Sequence, residues 1–241
     1  MRFPLRLTAD LGFGLALRSL RLERKGSLIE SILPDGNLRS RSPIVWIGGA
    51  EPLEVQETPR IVNSLAAAGR HVFLPTTGIL LRRRIHEFQP LPRLHLTIRF
   101  DGAEVAHDGR AGRQGAFRDA LESVRTAKLS GFLLCAQLIL HAPSECIEIE
   151  RLHGDLRELD FDGFLISAAS PSPAGEELRN SVGKLRRRLL GRRWALLSNV
   201  LDSVLLPVFA PAASPQTASR RPREMASQLP ERSCEESVQA P

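Results

Sequence analysis

Short apolar runs alternate with helical patterns through the middle of the chain. The runs are continuous, which is typical of parallel strands covered on both faces. They lie at 44–47, 71–74, 94–100, 132–140 and 164–167. Segments with the spacing of amphipathic helices lie between them, at 55–68, 78–88, 114–130 and 144–159. This alternation predicts an α/β fold, a partial TIM-like barrel of about five or six parallel strands.

Basic segments with an apolar face flank this core. Leu7–Leu22 fits an amphipathic helix, either one drawn to anionic lipid or one that closes the bottom of the barrel. Glu176–Leu190 and Trp194–Phe209 fit a membrane-surface segment and equally fit helices packed on the barrel. Trp194–Phe209 is too short to span a bilayer. The predicted organisation is an N-terminal helix, a core, C-terminal helices and a disordered tail, at 1–25, 26–170, 171–209 and 210–241.

Composition narrows the classes of function. The formal net charge is +6 and the pI is about 10.2, which suits an anionic partner such as the inner membrane face. Aromatic residues make up 5% of the chain and tyrosine is absent, so few stacking platforms exist and nucleic acid is not an expected partner. Cys135, Cys146 and Cys234 lack the spacing of metal ligands or of a redox motif. We predict a cytoplasmic protein, peripheral to the membrane in one interpretation.

Glycines and polar residues follow three of the strands. The turns are Gly48-Gly49-Ala50-Glu51, Thr76-Thr77-Gly78 and Asp101-Gly102. Each alone can be an ordinary turn between a strand and a helix. Because ligands of α/β sheets bind at the carboxyl ends of the strands, three such turns in order favour a ligand-binding rim.

These turns resemble motifs of the radical S-adenosylmethionine (radical SAM) enzymes. The first is similar to their Gly-Gly-Glu-Pro, from which Ala50 departs; the second resembles Thr-Asn-Gly, and Phe100-Asp101-Gly102 resembles Leu-Asp-Gly. Further matches follow in order at His107-Asp108, Gly115-Ala116-Phe117 and 162–167. The subgroup with the most similar pattern is the hopanoid-biosynthesis type, which transfers an adenosyl group to hopene. The resemblance covers roughly residues 1–25 and 43–170.

The resemblance implies a barrel that binds S-adenosylmethionine and a [4Fe–4S] cluster and acts on a small-molecule or lipid-like substrate. In the family the glycine turn and its acid receive the amino group of S-adenosylmethionine, and polar residues on the strands reach its ribose and carboxylate. Carried onto this chain, the cofactor-binding residues are Gly48, Gly49, Glu51, Thr76, Thr77, Arg99 and Gln137.

The same side chains also have structural interpretations. Glu51 can complement the dipole of the helix that follows it, the threonines can cap a helix, and Arg99 can pair with Asp101. Gln137 lies in an apolar strand, where a buried amide needs hydrogen-bond partners. The loop predicted at 101–113 contains His107-Asp108, which we interpret as a solvated pair. No catalytic or metal-binding residue is assigned.

One departure limits the resemblance. The family holds its cluster with a Cys-x3-Cys-x2-Cys loop between the first strand and the Gly-Gly-Glu turn, whereas Gly26–Ser42 contains no cysteine. Cluster irons need thiolates. If Ser27–Leu33 is the first strand, only Pro34–Ser42 remains for a parallel crossover that needs about a dozen residues or more. We therefore infer that the first strand–helix unit is deleted. The family's [4Fe–4S] cluster is not supported by this sequence.

Three hypotheses follow from these observations. The chain is a degenerate radical SAM-like barrel that binds S-adenosylmethionine or a lipid-like ligand without forming the 5′-deoxyadenosyl radical. Alternatively, it is a radical SAM enzyme of hopanoid or isoprenoid metabolism represented by a truncated gene. The third is a non-catalytic, peripheral-membrane binding protein.

Overall fold

The apolar runs form strands of one curled sheet, as the sequence predicts. The computed structural model describes residues 17–22, 28–29, 44–49, 51–169 and 175–205, all within the unit Met1–Ala210. The strands of this part of the chain are β1 Leu17–Leu22, β2 Leu28–Ile29, β3 Ile44–Gly48, β4 His71–Thr76, β5 Leu94–Phe100, β6 Leu133–Leu140 and β7 Gly163–Ala168. Their order is β2-β1-β3-β4-β5-β6-β7. Every neighbouring pair from β1 through β7 is parallel and β2 is antiparallel to β1, which confirms an α/β partial barrel.

Helices connect the strands and cover the sheet. They are α1 Thr58–Ala67, α2 Leu81–Arg84, α3 Glu104–Ala111, α4 Ala116–Leu129, α5 Cys146–Arg157, α6 Gly175–Leu189 and α7 Arg192–Leu205. Small buried residues on α4, among them Ala120 and Ala127, let this helix approach the sheet closely. Gly69 ends the α1 turn with a φ of 85°, a conformation that favours glycine after a helix.

The sheet and the helices packed on it share the hydrophobic core. All five residues of β3 are buried, which is why this strand shows no polar alternation in the sequence. Phe73 on β4 and Phe100 on β5 are among the largest fully buried side chains. Burial of a side chain of this size contributes about 1.5–3 kcal/mol to folding.

The prediction of a helix over Leu7–Leu22 is wrong for its last turn and a half. Residues 17–22 are the strand β1, which pairs in parallel with β3 from Leu17–Ile44 to Arg21–Gly48. This pairing hydrogen-bonds an edge of β3 that would otherwise carry buried, unpaired backbone groups. The first parallel strand is therefore not Ser27–Leu33, whose described part, Leu28–Ile29, forms a short antiparallel strand. The shortness of Pro34–Ser42 is thus no longer evidence that the first strand–helix unit is deleted, and that deletion stays a proposal.

The predicted loop over 101–113 contains a helix instead, α3. Its His107 is buried between the rings of Phe100 and Phe117, with ring centroids 6.1 and 5.7 Å away. Asp108 accepts hydrogen bonds from the amides of Gly115 at 2.6 Å and Phe117 at 2.8 Å, which satisfies free N–H groups at the start of α4. The interpretation of His107 and Asp108 as a solvated pair is therefore wrong. Packing in the fold, which the local sequence does not show, stabilises this short helix.

The apolar face of α7 packs against the sheet. Trp194, Leu197 and Leu201 are buried, and an added Cβ on Gly163 of β7 would overlap the Trp194 ring. Of the two interpretations of this segment, the helix packed on the barrel is confirmed, and the buried face is not available for insertion into a membrane. In the described part of the chain, no helix combines the length and hydropathy needed to cross a bilayer.

Side chains of α6 and α7 also cover the outer edge of β7. Arg186 Nε donates to the carbonyl of Ile166 at 2.7 Å, and Ser198 Oγ accepts from the Ile166 amide at 3.3 Å. Asp202 accepts from the amide of Ala168 at 3.5 Å and pairs with Arg186. The amide and carbonyl of Ile166 and the amide of Ala168 thus have side-chain partners at this edge, without another strand.

Candidate functional site

The predicted site residues lie toward one edge of the sheet. Gly48 and Thr76 are the last residues of β3 and β4, and Arg99 is the last but one of β5. Gln137 lies in the middle of the longer strand β6, level with Arg99, because their Cα atoms are in register. Because these strands are parallel, their carboxyl ends meet at the same edge of the sheet. We call this edge, from Gly48 across to Gln137, the rim.

The glycine turn has the backbone conformation expected of it. Gly49 has a φ of 137°, in a region where a side chain would be strained. The turn therefore needs glycine at position 49. Ala50, the residue that departs from the family pattern, lies outside the described residues, as do 23–27, 30–43 and the tail after 205.

Glu51 joins the ends of β3 and β4. Its Oε2 accepts three hydrogen bonds, from Thr76 Oγ1 at 3.1 Å, Thr77 N at 2.8 Å and Thr77 Oγ1 at 2.6 Å. Its Oε1 accepts from Leu53 N at 3.2 Å and so caps the 3₁₀ turn Pro52–Glu54. Glu51 thus caps this 3₁₀ turn rather than the helix α1, which begins at Thr58. A carboxylate has about four lone-pair sites, two on each oxygen, so Oε1 can still accept one donor from a ligand.

The two threonines mainly hold the rim together. Both hydroxyls donate to Glu51, and Thr76 Oγ1 also accepts from the amide of Gly78 at 3.1 Å. Gly78 in turn has no room for a side chain, because an added Cβ would lie 3.1 Å from the backbone of Ala120 on α4. Direct contact of either threonine with a ligand stays a prediction.

Arg99 pairs with Asp101, as its structural interpretation predicts, but only through part of its guanidinium. The Nε atom lies 3.3 Å from Asp101 Oδ2, and the arginine side chain is 37% exposed. Its two terminal nitrogens have no partner among the described residues. They are the rim's available donors for a carboxylate, which a guanidinium binds in bidentate geometry.

Asp101 is a half-buried carboxylate whose oxygens contact Arg99 and His141. Burial alone would raise the pKa of Asp101, but the hydrogen bond with His141 and the charges of Arg99, His141 and His107 outweigh it and lower this pKa to about 2. Asp101 is therefore ionised at neutral pH. Sequence reasoning missed His141, which directly follows β6; a polar residue just past the end of a predicted strand was the signal available.

Gln137 makes one side-chain hydrogen bond to a neighbouring strand. Its Nε2 donates to Ser167 Oγ on β7 at 3.3 Å. Ser167 in turn donates to Asp202, whose pKa is raised by burial against the opposing effects of Arg186 and these hydrogen bonds. Gln137 thus links the sheet to α7, and contact of its side chain with a ligand stays a prediction.

Beneath the rim, the same face of β4 and β5 carries buried polar atoms without partners. They are His71 Nδ1, both ring nitrogens of His95, and Thr97 Oγ1. His95 is 1% exposed and its ring stacks on Phe73 with centroids 4.6 Å apart. Burial, with a smaller effect of His71, lowers the pKa of His95 to about 3, so this imidazole is neutral. The sequence did not single out these residues.

The residues present do not fit a [4Fe–4S] cluster. The first cysteine of the chain is Cys135, on β6, so no thiolate lies in the segment between β1 and β3. Cys135 and Cys146 are free, and burial raises the pKa of the Cys135 thiol, which disfavours the thiolate that iron needs. Across the described residues, no three histidine, cysteine or acidic side chains are grouped to hold a metal ion.

Comparisons with known proteins give a distant likeness to solved structures. No protein-family model matches the chain. The chain is similar to the crystal structure of SuiB from Streptococcus suis, with a TM-score of 0.48 and 11% identity over 60% of this chain and 36% of SuiB. For SuiB bound to S-adenosylmethionine the TM-score is 0.48 and the identity 10%, over 60% of this chain and 37% of SuiB. For SuiB bound to the precursor peptide SuiA the TM-score is 0.44 and the identity 12%, over 53% of this chain and 29% of SuiB. The chain thus spans little more than a third of SuiB. At these values the likeness carries no argument about function.

Proposed function

We propose that this protein is a degenerate radical SAM-like barrel that binds S-adenosylmethionine at its rim without forming the 5′-deoxyadenosyl radical. The ordered motifs from Gly48 to Ser167 support the relationship, and the geometry of the rim supports the ligand. The lack of cysteines before β3 supports the loss of radical chemistry, since no thiolates are there to hold the cluster.

The observation that carries the proposal is a pair of opposite charges with unused binding capacity. Glu51 can accept one more hydrogen bond through Oε1, and Arg99 can donate through its terminal nitrogens. They lie two strands apart, on the order of 10 Å at the backbone. An ammonium group at the first and a carboxylate at the second would complete both, which is the charge pattern of the amino-acid end of S-adenosylmethionine.

Isothermal titration calorimetry of the full chain with S-adenosylmethionine tests this proposal. Two direct charge-assisted contacts without iron give weak binding, and we expect a dissociation constant of about 0.1–1 mM, or about 4–5.5 kcal/mol. Glu51→Gln keeps an oxygen for the threonine donors but loses the charge. Arg99→Met loses the guanidinium and keeps an apolar stem.

Each variant should weaken binding by about tenfold or more, since a hydrogen bond to a charged group contributes about 1.5–3 kcal/mol. Arg125→Met is the matched control, because Arg125 is an exposed residue of α4 that pairs with Glu122. Unchanged affinity in both rim variants, or no heat at millimolar ligand, would leave the rim without this function.

The truncated-gene alternative makes a different prediction about the natural protein. An enzyme that has lost its cluster loop from the recorded sequence would be longer in the cell by at least the strand–helix unit that carries the loop. Intact-mass measurement of the endogenous protein decides between the two. A mass equal to that of the present 241 residues supports the degenerate barrel.

A further inference from the structure

One face of β5 carries a polar side chain at every second position, although this strand lies inside the sheet between β4 and β6. The polar residues are His95, Thr97 and Arg99. The alternate positions hold fully buried apolar residues, namely Leu94, Leu96, Ile98 and Phe100. Because successive side chains of a strand point to opposite faces, the three polar groups form one line that runs from the interior up to the rim.

This line lies on the face of the sheet that α7 covers. Thr97 is in register with Cys135 on β6, and Cys135 is in register with Gly163 on β7. Residues in register on parallel strands share a face, and at Gly163 that face meets the Trp194 ring of α7. The same helix also contacts β1, at the other side of the curled sheet. The polar line therefore faces the interior of the half-barrel, with α7 across its open side.

The deep end of the line consists of polar atoms without hydrogen-bond partners among the described residues. They are both ring nitrogens of His95, Thr97 Oγ1 and, on β4, His71 Nδ1. Thr97 is 0% exposed and His95 is 1% exposed, so solvent at the surface does not reach them. Each buried donor or acceptor without a partner makes folding less favourable. Four such atoms on one face indicate a place where a bound molecule supplies the partners.

The groups at the deep end carry no charge. Burial, with a smaller effect of His71, lowers the pKa of His95 to about 3, and burial, with the charge of Arg93, lowers the pKa of His71. The charged residues along this line, Arg99 and Asp101, lie at the rim and pair with each other. An ion bound at the deep end would therefore be buried beside neutral groups, which is unfavourable.

We propose that the deep end of β5 binds a small uncharged molecule that both donates and accepts hydrogen bonds, such as a primary amide. A neutral imidazole offers one donor and one acceptor, and the Thr97 hydroxyl offers both. Phe73 stacks on the His95 ring with centroids 4.6 Å apart and fixes its plane. A hydrocarbon does not suit this site, because it would leave the same atoms unpaired. Entry requires a local opening of the interior, since these atoms are covered.

The ¹⁵N chemical shifts of the His95 ring, assigned with His95→Phe, test this proposal on the full chain. The probes are acetamide, sodium acetate, which has nearly the same shape but a negative charge, and benzene, which is apolar. Acetamide should shift the His95 signals with a dissociation constant of about 1–10 mM, as expected for so small a molecule. Acetate and benzene at the same concentrations should leave them unchanged.

The variant Thr97→Val distinguishes a binding role from a structural one, because it removes the hydroxyl and keeps the shape. It should weaken acetamide binding by about fivefold, the value of one hydrogen bond. It should also raise the melting temperature by about 2 °C or more, since an unpaired buried group is lost. The matched control is Thr58→Val, at a buried threonine whose hydroxyl donates to the Pro52 carbonyl at 2.6 Å. The control should lower the melting temperature and leave acetamide binding unchanged.

Each contrary result refutes a definite part of the proposal. The absence of an acetamide response at His95, or an equal response to benzene, would show that no polar site exists there. An equal response to acetate would overturn the uncharged class of ligand. A melting temperature that falls in Thr97→Val as it does in Thr58→Val would show that the Thr97 hydroxyl already has a partner in the fold. None of these measurements involves S-adenosylmethionine, so this site and the proposed function at the rim are tested separately.

Discussion

We expect His95 to make the stability of this protein dependent on pH. Its ring is buried, both nitrogens lack described partners, and burial lowers its pKa from the ordinary value of 6.5 to about 3. A histidine with a depressed pKa binds a proton more readily in the unfolded chain. Its contribution to stability is therefore fully present above pH 6.5 and is lost progressively as the pH falls from 6.5 toward 3.

The size of the effect follows from these two values. Protonation of His95 stabilises the unfolded state by about 1.36 kcal/mol for each pH unit below 6.5, which amounts to about 2 kcal/mol at pH 5. The folded state, in which the pKa of His95 is about 3, is stabilised by almost nothing at this pH. At pH 8 neither state is protonated. We therefore expect His95 to account for about 2 kcal/mol of the stability lost between pH 8 and pH 5.

The substitution His95→Phe removes the titrating group and keeps a ring to stack on Phe73. Urea unfolding at pH 8 and pH 5 gives the free energy of unfolding of both proteins. The difference between the two pH values should be about 2 kcal/mol smaller in the variant. Any constant packing change from the larger ring cancels in this comparison, because it is present at both pH values. His86→Phe, the same substitution at an exposed site, is the control.

The result that would refute this reasoning is specific. If His95→Phe loses as much stability between pH 8 and pH 5 as the wild type, then His95 is already hydrogen-bonded or hydrated in the folded state, and its ring is not held neutral by burial. The remaining acid sensitivity of the variant should come from other buried histidines, among them His71 and His153, whose pKa values burial also lowers.

Three further predictions concern packing, a buried ion pair and iron. Gly163→Ala should destabilise the protein by about 1–3 kcal/mol, because the new methyl group overlaps the Trp194 ring. The control Gly154→Ala, on the open face of α5, should be neutral or stabilising. Equal melting temperatures for the two variants would contradict the predicted overlap. Arg186→Met should cost about 3–5 kcal/mol by leaving Asp202 buried without its partner. Adding Asp202→Leu should restore part of that loss, because it removes the uncompensated charge but leaves the Ala168 amide without its acceptor; chemical unfolding of the single and double variants measures both effects. Anaerobic reconstitution with iron and sulfide should give no stoichiometric [4Fe–4S] absorbance, since Gly26–Ser42 offers no thiolate; a stable cluster at about one per chain would refute the degenerate barrel.

The sequence predicted the parts of the fold that local pattern determines. Continuous apolar runs such as Leu94–Phe100 could be assigned to strands because both faces of the sheet are covered. The strand β1 could not, because its leucines and arginines also fit a helix and its pairing with β3 is a long-range contact. The helix α3 was missed for a similar reason, since burial of His107 against two aromatic rings is not visible locally.

The candidate site also has residues that the sequence predicts and residues that only the fold brings together. The glycine turn and Glu51 are identifiable from the sequence because a strand end, a glycine and an acid stand together in it. His141 and Asp101 are separated by about 40 residues, and only the parallel pairing of β5 and β6 brings them to a hydrogen bond. His95 looks like any residue of an apolar strand until its unpartnered nitrogens are seen.

The covered edge of β7 limits how this sheet can associate. A strand from another molecule, or an eighth strand of the same barrel, would have to displace Ser198 and the Arg186–Asp202 pair from the Ile166 and Ala168 backbone. Such a strand would break the hydrogen bonds that these side chains already make to Ile166 and Ala168, so its first backbone hydrogen bonds would replace existing ones and add little free energy. At this edge the half-barrel is therefore protected both from closing into a full barrel and from edge-to-edge aggregation.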